Sequence, residues 1–168
     1  AFKAEEANMG IYPNGGIFVL EYSGSPVNPT SFSWESIINN TTVWSIGMGN
    51  NNRLYYLTPT GLNYYDINAG PNPVVRENLY SYFPNISFGG GSDIKIDSQG
   101  NIWTISSTQG VHVLLDNTTY WPDINGLREE NSPLLSDEVY DLDFDYERKL
   151  AYIATSKGVS IFKIPFGM

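Results

Sequence analysis

The sequence repeats itself with a period of 48 residues. The segment IKIDSQGNIWTISSTQGVHVLL, residues 94–115, aligns without a gap with LDFDYERKLAYIATSKGVSIFK, residues 142–163. An earlier segment, IGMGNNNRLYYLTPTGLNYYD at 46–66, aligns at the same offset as far as Thr60, and one residue is then missing before Gly61. A fixed period of this length predicts an array of similar structural units.

Each copy reads as three short strands separated by two turns. In the middle copy the strands are DIKID, IWTI and GVHVLL, and the turns between them are DSQGN and SSTQG. No helical periodicity persists beyond one turn, so we predict an all-β chain. The alignment assigns one apolar position to Leu57, Ile105 and Ile153, and a neighbouring position to Tyr55, Trp103 and Ala151.

A fourth, more polar strand is predicted after each third strand, at residues 31–35, 78–83 and 118–121. Four short antiparallel strands per repeat are typical of a β-propeller blade, which must pack on its neighbours because one sheet cannot bury both faces. We therefore predict a single partial β-propeller over residues 1–168, with about three and a half four-stranded blades. The predicted repeats cover residues 1–40 (incomplete), 41–90, 91–138 and 139–168 (incomplete), and GGIFVLEY at 15–22 is assigned to the incomplete first copy as its third strand.

Propellers typically close with four to eight blades, so this number of blades leaves the predicted ring incomplete. The remaining blades are expected either from the rest of a larger protein or from a second copy of the chain. The start of the sequence at a third strand favours a fragment of a larger protein.

The composition excludes several classes of function. Only nine Lys and Arg residues stand against 18 Asp and Glu, and the net charge of −9 disfavours binding to nucleic acid. The sequence contains no Cys, which excludes disulfides and thiolate metal sites. No run of 18 apolar residues occurs, so no membrane span is predicted.

The segments DSQGNIWTISSTQGV and DYERKLAYIATSKGVSIF resemble the two-component regulator propeller repeat. The family usually has a Thr in the second turn, where this chain has Ser106 in one copy and Ala154 in another. The resemblance implies an exported protein, periplasmic or on the cell surface. It would be either a sensor domain of a hybrid two-component system, many of which sense glycans, or a propeller protein associated with type IX secretion.

His112 is the only histidine, so any catalytic triad or histidine metal site would depend on it. Its counterparts in the repeat are Asn63 and Ser160, and the alternation of the third strand predicts that all three point outward, which would place His112 at the surface. A lone histidine lacks the partners that acid–base or metal chemistry needs. We therefore expect no catalytic residue, no metal and no cofactor.

Six residues are assigned structural roles in turns, because Asp bonds the backbone of a turn and Gly or Asn tolerates positive φ. They are Asp97, Gly100, Asn101, Gly110, Asp145 and Gly158. Asp141 and Asp143 lie two apart on a strand and could form the carboxylate pair of a polysaccharide-acting enzyme, the alternative function. The simpler interpretation is that they line a rim or channel.

Ligand binding is predicted on the long connections between blades, because variable loops on a rigid scaffold usually carry recognition. These connections should lie at the same edge as the turns between second and third strands. Aromatic and charged side chains suit a glycan or a protein partner. Alternatively, Tyr82 and Trp121 pack under their own loops as core residues. The predicted binding residues are Tyr80, Tyr82, Phe83, Tyr120, Trp121, Asp123 and Arg128.

Overall fold

The computed structural model describes residues 15–50, 52–67, 75–76, 83–115 and 119–167. Within these residues the chain is all-β, as predicted, and every paired strand is antiparallel. The chain divides into two compact units, residues 1–43 and residues 44–168.

The first unit contains a long hairpin of β1 (Gly16–Ser25) and β2 (Asn28–Asn39). Its side chains alternate between two faces, and Tyr22 is opposite Phe32 on one of them. Toward the turn of the hairpin the other face is polar: Glu21 is opposite Ser33, and the Ser23 hydroxyl is hydrogen-bonded to the Ser31 hydroxyl at 2.7 Å. This half of the hairpin is therefore amphipathic.

The second unit contains three sheets, which we call the first, middle and last sheets. The first sheet has the order β3 (Ser45–Met48), β4 (Arg53–Thr58), β5 (Gly61–Asp66) and β6 (Val75–Arg76). The middle sheet has the order β7 (Asp93–Ile96), β8 (Ile102–Ile105), β9 (Val111–Leu114) and β10 (Tyr120–Trp121). The last sheet has the order β11 (Val139–Asp145), β12 (Leu150–Thr155) and β13 (Gly158–Lys163).

The predicted fourth strands are found in part. Residues 31–35 lie within β2, and β10 occupies residues 120–121 of the predicted segment 118–121. In the copy at 41–90 the strand that pairs with β5 is β6, which precedes the predicted segment 78–83. Most of that segment lies outside the described residues, and Phe83 is not in a strand.

The middle sheet is packed on both faces, which explains why β8 is fully buried and apolar at every position except Thr104. On one side, Ile94, Ile102 and Leu114 share a core cluster with Leu57 and Leu62 of the first sheet. On the other side a second core cluster joins the middle and last sheets. It contains Trp103, Ile105, Val111 and Val113 of the middle sheet and Leu142, Ala151, Ile153 and Phe162 of the last sheet.

The turn between β11 and β12 is one residue longer than its counterparts. Five residues separate the paired residues Ile96 and Ile102, whereas six separate Phe144 and Ala151. Position 100 is a glycine with a φ of 89°, a conformation that glycine adopts without steric cost. Arg148 replaces it in the last copy, and there the positive φ, 56°, moves to Lys149.

This extra residue corrects the alignment of the repeat in β12. A shift of one residue moves every side chain of a strand to the opposite face. Tyr152, not Ala151, therefore occupies the place of Trp103. In the same way Ala154, not Ile153, occupies the place of Ile105. The last two copies thus differ by an insertion in one turn and a shortening of the next.

Asp97 lies in the turn between β7 and β8 and is only 1% exposed. Its Oδ1 accepts hydrogen bonds from the backbone N–H groups of Gln99 and Asn101, both at 3.0 Å. Its Oδ2 accepts from Asn101 Nδ2 at 2.8 Å and from Trp103 Nε1 at 3.1 Å. The turn is thereby tied to the core of the sheet.

Asp145 has fewer partners in the corresponding turn of the last sheet. It accepts hydrogen bonds from the Arg148 backbone at 2.9 Å and from Arg148 Nη1 at 2.7 Å. These bonds hold the pKa of the Asp145 carboxyl below its usual value.

Candidate functional site

Three segments meet at one end of the middle sheet, and we call them together the loop edge. They are the connection 83–92, the turn 106–110 and the connection 122–138. The side chain of Gln109 joins the first two, because its Oε1 accepts from Ser87 N at 2.6 Å. Asn85 Nδ2 joins the two connections by donating to Asn125 Oδ1 at 3.0 Å. The connections and the second turn therefore share an edge, as predicted.

The connection 122–138 is fixed to the sheet by backbone hydrogen bonds. Gly110 N donates to Asp137 O at 2.8 Å, and Leu127 forms a β-bridge with Val111. Asp123 Oδ1 accepts from Asn125 N at 2.7 Å and closes the turn at the start of the connection. The loop edge is thus presented on a rigid support.

His112 lies beneath the loop edge, and the predicted surface position is wrong. Its side chain is 1% exposed, because β9 is covered on both faces. The Phe83 ring stands edge-on to the imidazole at 6.3 Å. A Cβ at Gly126 would come within 2.9 Å of the His112 Cγ, so the backbone approaches the ring closely. The counterparts Asn63 and Ser160 are buried as well, which makes this a buried polar position of the repeat.

The surroundings of His112 favour the neutral imidazole. Its Nε2 lies 3.2 Å from Gln109 O and 3.4 Å from Arg128 Nη2. Burial, followed by the positive charge of Arg128, lowers the pKa of His112 from 6.5 to about 4. At neutral pH the ring is therefore uncharged.

The lowered pKa of His112 predicts a loss of stability in acid. Between pH 6.5 and pH 4 the unfolded chain binds a proton that the folded chain excludes, so the free energy of unfolding falls as the pH falls. We expect the protonation of His112 to lower the free energy of unfolding by about 2–3 kcal/mol when the pH falls from 7 to 4.5. Urea unfolding at both pH values would measure it. His112→Asn, which copies Asn63, should show a smaller loss, and an unchanged loss would contradict the assignment.

The structure places the predicted binding residues in different surroundings. Asp123 is exposed and Arg128 half-buried, and both lie on the connection 122–138. Phe83 is 2% exposed, so it is a core residue and not a surface contact for a ligand. Tyr80 and Tyr82 lie outside the described residues.

Tyr120 and Trp121 are half-buried and point to opposite faces of the middle sheet. Tyr120 packs edge-on against Phe83 with ring centroids 6.0 Å apart. Trp121 packs against Trp103 at 6.1 Å and Phe166 at 5.2 Å. Trp121 thus packs as a core residue of the fourth strand, the alternative considered for it from the sequence. The aromatic surface expected here is not assembled by the described residues.

Sequence reasoning missed the amide side chains of the loop edge, namely Asn85, Gln109 and Asn125. They belong to three segments that are far apart in sequence and come together only through the packing of the sheets. The period gives no signal for them, because Gln109 aligns with a lysine, Lys157, and Asn85 and Asn125 lie outside the aligned segments. Amides with Asp123 and Arg128 can donate and accept hydrogen bonds, as recognition of a polar ligand requires.

A strip of polar residues, separate from the loop edge, runs across the first strands of the three sheets. The Ser45 hydroxyl donates to Asp93, and Lys95 Nζ lies 3.7 Å from Asp93 Oδ2 and 3.6 Å from Asp141 Oδ1. Asp143 Oδ1 accepts from the backbone of Phe144 at 2.9 Å. Within the described part of the chain, no group of three His, Cys, Asp or Glu residues could hold a metal ion.

The hairpin of the first unit has an open cavity of about 370 Å³. Hydroxyl groups and aromatic rings line it together, from Glu21, Tyr22, Ser23, Ser31, Phe32 and Ser33. No helix among the described residues is long and apolar enough to cross a membrane.

No sequence profile of a known family matches the chain, and no curated protein matches it in sequence. Solved structures do share its fold. PorZ, a bacterial surface component of the type-IX secretion system of Porphyromonas gingivalis, superposes with a TM-score of 0.68 at 20% identity, over 92% of this chain and 23% of PorZ. The extracellular domain of the putative hybrid two component system BT3049 from B. thetaiotaomicron gives a TM-score of 0.50 at 19% identity, over 73% of this chain and 17% of that protein.

A putative gluconolactonase gives a TM-score of 0.52 at 13% identity, over 93% of this chain and 59% of the other. The chain thus spans less than two thirds of each of these proteins. The likeness establishes a shared fold. Two of the three are a secretion-system surface component and the extracellular domain of a sensor, the two kinds of protein that the repeat resembles.

Proposed function

We propose that the chain is a non-catalytic recognition or scaffold module of β-propeller type within an exported bacterial protein. That protein would be a periplasmic or surface sensor, or a component associated with type IX secretion. The shared fold with PorZ and with a sensor's extracellular domain supports the setting. The three sheets and the hairpin correspond to about three and a half blades, completed by further blades of the larger protein or of a second copy.

The observation that carries the recognition role is the loop edge. Asn85, Gln109 and Asn125 link its segments, so the exposed Asp123 and the half-buried Arg128 are held on a preorganised surface. Preorganisation lowers the entropic cost of binding. We propose that this edge binds a glycan or a protein partner through charge and hydrogen bonds.

A catalytic role is not part of the proposal. The only histidine is buried and neutral beside Arg128, which leaves it without access to a substrate. Asp141 is paired with Lys95, which suits a structural strip along the first strands. The alternative of a polysaccharide-acting enzyme has no further support in the described residues.

The test removes the charges of the loop edge while keeping its shape. The double variant Asp123→Asn with Arg128→Gln should weaken binding by roughly tenfold or more, because charged contacts at a fixed interface dominate affinity. Binding would be measured on a glycan array and by capture from an envelope extract of a Gram-negative bacterium.

The matched control removes one acid and one arginine at the opposite edge of the sheets, through Asp145→Asn with Arg148→Gln. The control should bind as the unmodified chain does. Unchanged binding by the loop-edge variant would contradict recognition at this edge. Cleavage of any bound glycan, lost in Asp141→Asn with Asp143→Asn, would contradict the non-catalytic role.

A further inference from the structure

Two buried polar atoms on one face of the middle sheet have no hydrogen-bond partner. Among the described residues, three buried side-chain polar atoms lack such a partner, and two of the three are Thr104 Oγ1 and His112 Nδ1. Thr104 on β8 is directly opposite His112 on β9, so the two side chains stand next to each other on the same face. Their exposed fractions are 0% and 1%. The two unpartnered atoms therefore belong to one place in the core.

The rest of this face of the middle sheet is apolar. Ile94 is opposite Thr104 on β7, and Ile102 and Leu114 form the corresponding pair two residues further along β8 and β9. All three belong to the core cluster that joins the middle sheet to the first sheet. A hydroxyl group and an imidazole nitrogen that are removed from bulk water without a partner cost free energy. This pair therefore calls for a partner within the core.

The contacts of the imidazole ring place Nδ1 on the side of β8. Nε2 lies 3.2 Å from Gln109 O and 3.4 Å from Arg128 Nη2. A Cβ at Gly126 would approach the ring at 2.9 Å from Cγ and 3.1 Å from Cδ2, so the chain around Gly126 covers the Cδ2 edge of the ring. This segment pairs with one edge of β9, whereas β8 pairs with the other edge. Nδ1, across the ring from Cδ2, thus faces Thr104.

The counterparts of His112 in the other two sheets bond to groups of the chain itself. Asn63 Nδ2 donates to Gly61 O at 3.2 Å in the turn before β5. Ser160 Oγ accepts from the backbone of Leu135 at 3.0 Å. The buried polar position of the repeat is therefore satisfied in the first and last sheets, and in the middle sheet Nδ1 needs a partner of another kind.

We propose that a buried water molecule bridges Thr104 Oγ1 and His112 Nδ1 at the interface of the first and middle sheets. The two atoms are neighbours that are not bonded to each other, which is the arrangement in which a water lies between two polar groups. Buried waters typically bond to groups that are otherwise unsatisfied. Because a water molecule both donates and accepts hydrogen bonds, it can serve the hydroxyl and the neutral imidazole together. The site is independent of any ligand at the loop edge.

A high-resolution crystal structure of the unmodified chain tests the site directly. We expect electron density for a water molecule at about 2.7–3.2 Å from both Thr104 Oγ1 and His112 Nδ1. A direct hydrogen bond between these two atoms, or a site that holds no water, would overturn the proposal.

Urea unfolding of Thr104→Val tests the same site in solution. Valine removes the hydroxyl and keeps the shape, and an apolar β-branched residue fits here because Ile153 is opposite Ser160 in the last sheet. Loss of the bridge should raise the equilibrium constant of unfolding about five- to thirtyfold. If the hydroxyl had no partner at all, its replacement by a methyl group would stabilise the chain. An unchanged or lowered constant would therefore overturn the proposal. Thr108→Val is the matched control, because Thr108 is exposed, and it should change the constant by about twofold at most.

Oxygen-17 relaxation of the solvent, which detects long-lived buried water, gives a readout that a loss of packing alone would not move. Thr104→Val should remove one long-lived water from the folded chain. Thr104→Ser keeps the hydroxyl and should keep that water, even though the smaller side chain packs less well. Retention of the water in Thr104→Val, or its loss in Thr104→Ser, would contradict the bridge.

Discussion

Replacing Trp103 by alanine should lower the free energy of unfolding of the chain by about 3–5 kcal/mol, the usual cost of removing a fully buried large aromatic side chain. Trp103 is 0% exposed and packs against Phe144 at 5.2 Å, Phe166 at 5.9 Å and Trp121 at 6.1 Å. It thus joins the middle sheet, the last sheet and the residues after β13. Removal of the indole ring would leave a cavity between the middle and last sheets. The backbones of the two sheets would have to shift to close this cavity.

Urea unfolding followed by circular dichroism would measure this loss. Tyr140→Ala is the matched control, since Tyr140 is 58% exposed and its removal opens no cavity. We expect the control to change stability by less than about 1 kcal/mol. A small effect of Trp103→Ala, similar to that of the control, would mean that the middle and last sheets do not share this core.

Replacing Asp97 by alanine should also destabilise the chain strongly, by about 3–5 kcal/mol. The carboxylate is buried and accepts four hydrogen bonds, from two backbone N–H groups, from Asn101 Nδ2 and from Trp103 Nε1. Without the carboxylate these donors would remain buried and unsatisfied, at about 1–3 kcal/mol for each one that water cannot reach.

A double-mutant cycle separates the contribution of the Trp103 bond. Trp103→Phe keeps an aromatic ring but removes the N–H donor, so it should cost less than Trp103→Ala. Because both variants break the same bond, the double variant Asp97→Ala with Trp103→Phe should cost less than the sum of the two single variants. Asp145→Ala is the control, because the Asp145 carboxylate is bonded at the surface, chiefly to Arg148, and its loss should matter far less. Additive effects in the cycle would contradict the bond between Asp97 and Trp103.

The repeat made most of the local structure predictable. Alternating apolar residues, polar turns and the glycine before each third strand lead directly to β4, β5, β8, β9, β12 and β13, because strand side chains follow a period of two. The turn role expected of Asp97 follows from its place before Gly100, but the bond to Trp103 depends on how the turn folds over the sheet.

The predictions from the sequence were wrong where a turn changed its length and where packing buried a polar residue that strand alternation places at the surface. An ungapped alignment could not reveal that the turn after Asp145 contains an extra residue, which turned Tyr152 outward and Ala151 inward. His112 was expected at the surface because alternation along a strand predicts polar residues outside. That rule fails in a strand that is covered on both faces.

The sequence by itself determined the all-β class, the period and the order of strands, because these depend on contacts within one repeat. Tertiary structure alone decided which side chains meet between repeats: the hydrogen bond between Asn85 and Asn125, and the contact of Arg128 with the buried His112. These contacts join segments whose distance along the chain carries no periodic signal, so they arise only when one sheet packs on the next. The location of the loop edge was therefore predictable from the sequence, whereas the side chains that meet there could be identified only from the packed structure.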